Sequence, residues 1–153
     1  MKAITLTQPW ATLIVVGAKL IETRSWFTTC RGRIAIHAAK NFPEYAQHLC
    51  FREPFRLFLE EYVDLNKTYL GRHRFPSGAI IATCRLVNCF KILDGTYRVG
   101  GIHIPPGEPE QSFGDYTPGR YAWILDDVRR LPEPIPARGA LGLWEWTQGD
   151  EHE

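Results

Sequence analysis

Apolar and polar positions alternate from Lys2 to Thr7, with β-branched residues among them, which predicts a first strand. Thr7 and Gln8 precede Pro9, and a proline at the first helical position behind a threonine cap opens a helix. That helix runs to about Val16, with Gly17 as its stop. A second strand is expected from Leu20 to about Thr28. Its period of two puts Leu20, Glu22, Arg24 and Trp26 on one face, and Ile21, Thr23 and Ser25 on the other. The Arg31-Gly-Arg turn leads into a third strand, Ile34 to His37, with Ile34 and Ile36 inward, Arg33 and His37 facing the other way, and Lys40 closing it. Residues 43–62 carry Tyr45, Leu49, Phe55, Phe58, Leu59 and Tyr62 at helical spacing, and Pro54 splits the segment into two helices. Gly78 to Ile92 is the longest β-rich run and predicts a central strand; Tyr121 to Leu125 and Leu141 to Trp146 predict two more.

Between the last two groups lies a stretch from Gly95 to Gly119 dense in glycine and proline. A connection of that length is uncommon in a compact domain unless it works as a lid or is a slack insert. Tyr97, Arg98, Phe113 and Tyr116 within it favour a lid. About six short strands with two helical insertions predict an α+β fold, a small mixed β-barrel with helices packed on one side.

A length of 153 residues suits one domain, read here as 1–148 with an acidic tail at 149–153. The longest apolar run, Ala11 to Ala18, is far shorter than a membrane span, and nothing resembles a cleaved signal, so a cytoplasmic protein is expected. Cys30, Cys50, Cys84 and Cys89 show no CxxC spacing, and His37, His48, His73, His103 and His152 are scattered, so no metal site and no cofactor is expected. Net charge is only +1, but its distribution is uneven. Residues 1–40 hold six bases (Lys2, Lys19, Arg24, Arg31, Arg33, Lys40) against the single acid Glu22, while the remainder holds twelve bases against sixteen acids. Such asymmetry is the footprint of one basic face that recognises phosphate or carboxylate.

The densest chemistry lies in Gly17-Ala-Lys-Leu-Ile-Glu-Thr-Arg-Ser-Trp26, where a lysine, a carboxylate, a guanidinium and an indole fall within ten residues. Two readings fit that stretch: an internal Glu22–Arg24 ion pair with Trp26 packed in the core, or a binding cleft.

Leu6-Thr-Gln-Pro-Trp10, the Gly17-x-Lys19-x-x-Glu22-x-Arg24 run, Trp26, Gly32, Ile36-His-Ala-Ala-Lys40, Pro76-x-Gly78-Ala-Ile-Ile81 and Pro134-x-Pro136-x-Arg138-Gly139 to Gly142-Leu143-Trp144 together resemble the ASCH domain of the PUA-like superfamily. The resemblance spans roughly residues 3–146, nearly the whole chain. It implies a PUA-like barrel with a cleft beside the first helix, and a partner that is RNA or a nucleoside or nucleotide, modified bases included. Some small ASCH proteins are amidohydrolases acting on N4-acetylcytidine through a lysine, a threonine and a glutamate, and others have been described as ribonucleases, so the fold alone does not choose a function.

Carried over residue by residue, the lysine of that amidohydrolase group matches Lys19, but its threonine falls on Glu22. Thr23 sits on the opposite strand face, and the second carboxylate does not align; Glu53, Glu60 and Glu61 are unsupported candidates. Without a hydroxyl beside the lysine, covalent attack on an amide lacks its nucleophile. The expected ligand site is therefore Trp10, Lys19, Glu22, Arg24, Trp26, His37 and Lys40. In it Lys19, Arg24 and Lys40 hold phosphate, Glu22 accepts from an amine or ring N–H, and Trp10 or Trp26 stacks on the base. In the competing reading, a small hydrolase, Lys19 and Glu22 are the catalytic pair working through an activated water, with His37 as a possible base for a ribonuclease.

Overall fold

The computed structural model describes residues 1–63 and 75–149. His73, His152 and all of the expected acidic tail except Gly149 lie outside the described residues. The elements, in chain order, are β1 (Lys2–Leu6), α1 (Trp10–Val15), β2 (Ile21–Arg24), β3 (Gly32–Ala38), α2 (Glu44–Leu49), α3 (Phe55–Leu59) with a 3-10 turn at Glu60–Tyr62, β4 (Ala79–Leu93), β5 (Thr96–Val99), β6 (Ile102–Ile104), α4 (Glu110–Phe113), β7 (Tyr121–Pro136) and β8 (Leu143–Glu145). Among the described residues no helix is long and apolar enough to cross a membrane.

The sheet runs β2-β7-β4-β3-β1-β8, with β5 on β4 and β6 on β5. All its pairs are antiparallel except β1 with β3. The α+β class is as expected, but the barrel is not closed: β2 and β8 are the two edges of the path and no ladder joins them. What crosses the gap is a side chain, since Arg24 of β2 donates an Nη2–H to the carbonyl of Thr5 in β1 at 2.9 Å.

The period of two sorts β1 and β3 between two cores. Ile4, Leu6, Ile34, Ile36 and Ala38 face the main core with Ala11 and Ile14 of α1, whereas Ala3 and Ala35 face a second cluster with Ile80 and Trp146. A third cluster under α2 and α3 gathers Leu13, Cys50, Phe55, Leu59 and Phe113. The cysteines are unpaired thiols; burial pushes Cys50 and Cys84 up to about 12, which leaves them unreactive at neutral pH.

Several boundaries differ from the sequence reading. The expected threonine cap of α1 is replaced by Gln8, wholly buried, whose Oε1 accepts the N–H of Thr12 at 3.0 Å while its Nε2 donates to Pro76 O at 2.9 Å. β2 ends at Arg24 rather than near Thr28. The stretch 95–119 is not slack: Asp94-Gly95 and Gly100-Gly101 all take positive φ and make the two-residue turns of a β4-β5-β6 meander. β7 continues eleven residues past the apolar run, from Asp126 to Pro136, because β4 is long enough to offer it partners and bulges absorb the irregularities.

Candidate functional site

The seam between β1 and β2 holds a cavity of about 550 Å3. Volumes of this order suit a ligand the size of a nucleotide. One wall is aromatic: Trp10, at the start of α1, meets Tyr45 of α2 with centroids 6.4 Å apart and Phe55 of α3 edge-on at 6.2 Å. Ser112 to Asp115 with Arg120 continue the lining, Phe113 meeting Phe55 at 5.0 Å, and Thr5 to Thr7 and Glu22 to Arg24 complete it. The glycine- and proline-rich stretch thus supplies a side of the cleft, tied down by the N–H of Asp115 donating to Thr23 Oγ1 at 3.0 Å and by Arg120 Nη2–H donating to Thr23 O at 3.3 Å. Gly114 permits this approach, since a Cβ there would sit 2.8 Å from the ring of Tyr116 and 3.1 Å from Thr23 Cγ2.

Glu22 is the central group of the site. Its Oε2 lies 3.0 Å from Lys19 Nζ and its Oε1 3.4 Å from Arg24 Nε, and its side chain keeps 13% exposure at the cleft. Lys19 is placed by the end of α1: Gly17 takes φ +78°, the N–H groups of Ala18 and Lys19 both return to Leu13 O, and the lysine is turned under the strand. There its ammonium also donates to Ile21 O, and the side chain is 1% exposed. Direct contact of Lys19 with a phosphate, expected from sequence, is therefore corrected: both its strong partners are internal, and it acts on the cleft through Glu22.

Three further expected residues sit elsewhere. Trp26 follows the end of β2, so the alternation that would aim it at the cleft has stopped; it packs edge-on against Trp123 at 4.7 Å and accepts that indole N–H on its carbonyl. His37 occupies the far face of β3. It is enclosed by Trp144, edge-on at 5.6 Å, and by Gly139, where a Cβ would lie 2.6 Å from its ring. Its Nε2–H donates to Ala137 O at 2.9 Å, Nδ1 has no partner among the described residues, and burial lowers its pKa, which leaves a neutral internal ring. Lys40 is exposed beyond β3, its Cβ 3.7 Å from where a Cβ on Gly78 would stand, and it is not a wall of the cleft. Trp10, Glu22 and Arg24 are brought together; Trp26, His37 and Lys40 are not.

The structure adds Tyr45, Asp115, Arg120 and, beneath the site, Glu110. Glu110 Oε1 accepts the N–H of Leu20, while Oε2 is buried without a hydrogen-bond partner among the described residues. Burial raises its pKa, opposed by the N–H of Leu20 and the charge of Lys19 and reinforced by Glu22. Pro109 ahead of an acidic first-turn residue was a usable helix-start signal for this carboxylate. Neither Glu53, Glu60 nor Glu61 lines the cleft.

Comparison with known proteins agrees with this architecture. The human Activating signal cointegrator 1 is 33% identical over 138 residues, which is 90% of this chain and 21% of the relative. Its mouse counterpart is 33% identical over 86 residues, 56% of this chain and 14% of the relative. The chain thus spans about a fifth or less of the length of the relatives it matches. Among solved structures, a mutant ASCH protein from Zymomonas mobilis superimposes with a TM-score of 0.50 at 16% identity, covering 97% of this chain and 90% of that one, a likeness of fold. The sequence profile of the ASCH domain matches residues 4–131, and the chain belongs to that family.

Proposed function

We propose that this protein binds RNA or a nucleotide, with one base held in the seam between β1 and β2. The observation that carries the reading is a carboxylate, Glu22, fixed between Lys19 and Arg24 at the foot of a Trp10–Tyr45 wall. Trp10 offers a π face for a base, and Glu22 accepts from an exocyclic amine or ring N–H. Arg24 and Arg120 are the cleft cations within reach of a phosphate. Lys19 is a positioning residue that holds Glu22 aimed at the cleft.

Titration of the four ribonucleoside monophosphates and short RNAs by calorimetry tests this. Saturable binding is expected, weakened about tenfold or more by Glu22→Gln, the scale of one hydrogen bond to a charged group. No saturation by any of them up to millimolar concentration would overturn the reading.

A second reading, hydrolysis, is favoured by Glu110 alone: a carboxyl held toward its protonated form close to Glu22, which pairs with Lys19, is the asymmetry that acid–base chemistry uses. Thr23 Oγ1 accepts the N–H of Asp115, and among the described residues no side chain accepts its hydroxyl proton to activate it. We expect no acetate from N4-acetylcytidine above background; release that disappears in Glu110→Gln would replace binding by catalysis.

A further inference from the structure

One row of side chains leads away from the cleft across the end of the sheet. Antiparallel pairing sets Arg24 of β2 opposite Tyr121 of β7, and Tyr121 opposite Lys91 of β4. Directly opposed residues project from the same face, so this end of the sheet carries a cation, a phenol ring and a cation in one line. Phe27, just past the end of β2, meets Tyr121 with centroids 5.7 Å apart at 60°. The chain turns Trp26 inward against the core at this point, yet leaves Phe27 51% exposed.

Arg24 at the head of the row meets Glu22 at 3.4 Å. Elsewhere Arg33 and Arg129 lie on Asp127, Arg85 on Asp126 and Lys2 on Glu145. Lys91 is exposed and has no carboxylate within ion-pair distance among the described residues. Arg31 donates to the carbonyls of Thr28 and Cys30 and to Asn88 Oδ1, three positions before Lys91 on β4, and likewise meets no carboxylate. An exposed ring backed by the half-buried Tyr121, beside two unneutralised cations, matches what unpaired bases and their phosphates require, since bases stack and cations follow the backbone. A duplex keeps its base faces covered. Three strands span about 10 Å, room for two or three nucleotides at a stacking rise of about 3.4 Å. Arg24 is common to both places, lining the cleft and heading the row.

We propose that Phe27 and Tyr121, flanked by Lys91 and Arg31, form a second nucleotide subsite continuous with the cleft, and that the ligand is a single-stranded nucleic acid chain. The inference rests on the reading of the cleft as a nucleotide site, and the two separate experimentally. Labelled oligonucleotides of one, two, four and eight residues, as RNA and as DNA, are titrated by fluorescence anisotropy against the wild type, Phe27→Ala, Lys91→Glu and Trp10→Ala. Phe27 and Lys91 are exposed, and circular dichroism confirms that the variants fold. Affinity should rise about tenfold from one to four residues, and a duplex of equal length should compete poorly. Phe27→Ala and Lys91→Glu should each weaken tetranucleotide binding about fivefold or more, the scale of one stacked base, and leave the mononucleotide unchanged. Tetranucleotide binding indifferent to both substitutions, or a duplex that competes as well as the single strand, overturns the second subsite while the cleft reading stands. Loss in Phe27→Ala with none in Trp10→Ala keeps the platform and removes the cleft; absence of all binding removes both. Whichever sugar binds more tightly identifies the chain as RNA or DNA.

Discussion

Ion pairs on this sheet occupy two settings, one hidden at the foot of the cleft and one open to water. At the foot of the cleft, Lys19 and Glu22 pair at 3.0 Å with side chains 1% and 13% exposed. On the outer surface, Arg85 meets Asp126, and Arg33 and Arg129 share Asp127, with exposures between 27% and 68%. The chemistry is the same and the consequences are opposite. Water and salt screen the outer pairs and can replace either partner. No water replaces the partner of a buried ion, so each member of the inner pair depends on the other. Charge density in a sequence therefore says little until burial is known.

The sharpest way to break that contrast is to remove the hidden cation. Lys19→Met leaves Glu22 with only its longer contact to Arg24, and urea unfolding should show a loss of about 2–3 kcal/mol, less than the roughly 3–5 kcal/mol of a buried charge left wholly unpaired. An unchanged midpoint would mean that Glu22 is as well solvated as Asp127. A smaller effect is expected at His37, the buried titratable group on the far face. Burial lowers its pKa below the unfolded value of about 6.5. The unfolded chain therefore binds more protons just below that pH, so stability is complete above it and falls as the solution is acidified toward the folded value. Urea midpoints at pH 5 and pH 7 should differ in the wild type, and the difference should shrink in His37→Gln. The smallest effect belongs to the outer cluster: Asp126→Asn should leave the urea midpoint within experimental error, at low salt and at high.

The elements were legible where one local rule decided them. Alternation fixed β1 and β3, Pro54 divided α2 from α3, and the GxKxxExR spacing placed Glu22 and Arg24 together at the cleft. The site residues that failed did so because their positions depend on where a strand stops or which sheet face is wet. Trp26 obeys the period only if β2 reaches it, and β2 stops two residues earlier. His37 does alternate away from Ile36 as expected, but that face is covered by Gly139 and Trp144 from a hundred residues on, which no local pattern reveals. The meander at 94–104 was legible and overlooked, since Asp-Gly and Gly-Gly are hairpin turns whatever the density of glycine around them. Arg120 and Glu110 reach the site through long-range pairing alone.

The pairing of β1 with β8 has a mechanical side. Lys2 faces Glu145, Ala3 faces Trp144, and the amino group of Met1 donates to Trp146 O at 2.8 Å, so the two strands begin and end at one corner of the sheet. Their hydrogen bonds lie across the strand direction. A load pulling Met1 and Trp146 apart would meet these bonds one pair at a time, as a zipper opens, and not all together in shear. Tension on this fold would therefore detach β8 at low force, leaving the seam that holds Glu22 and Trp10 for a later and separate break.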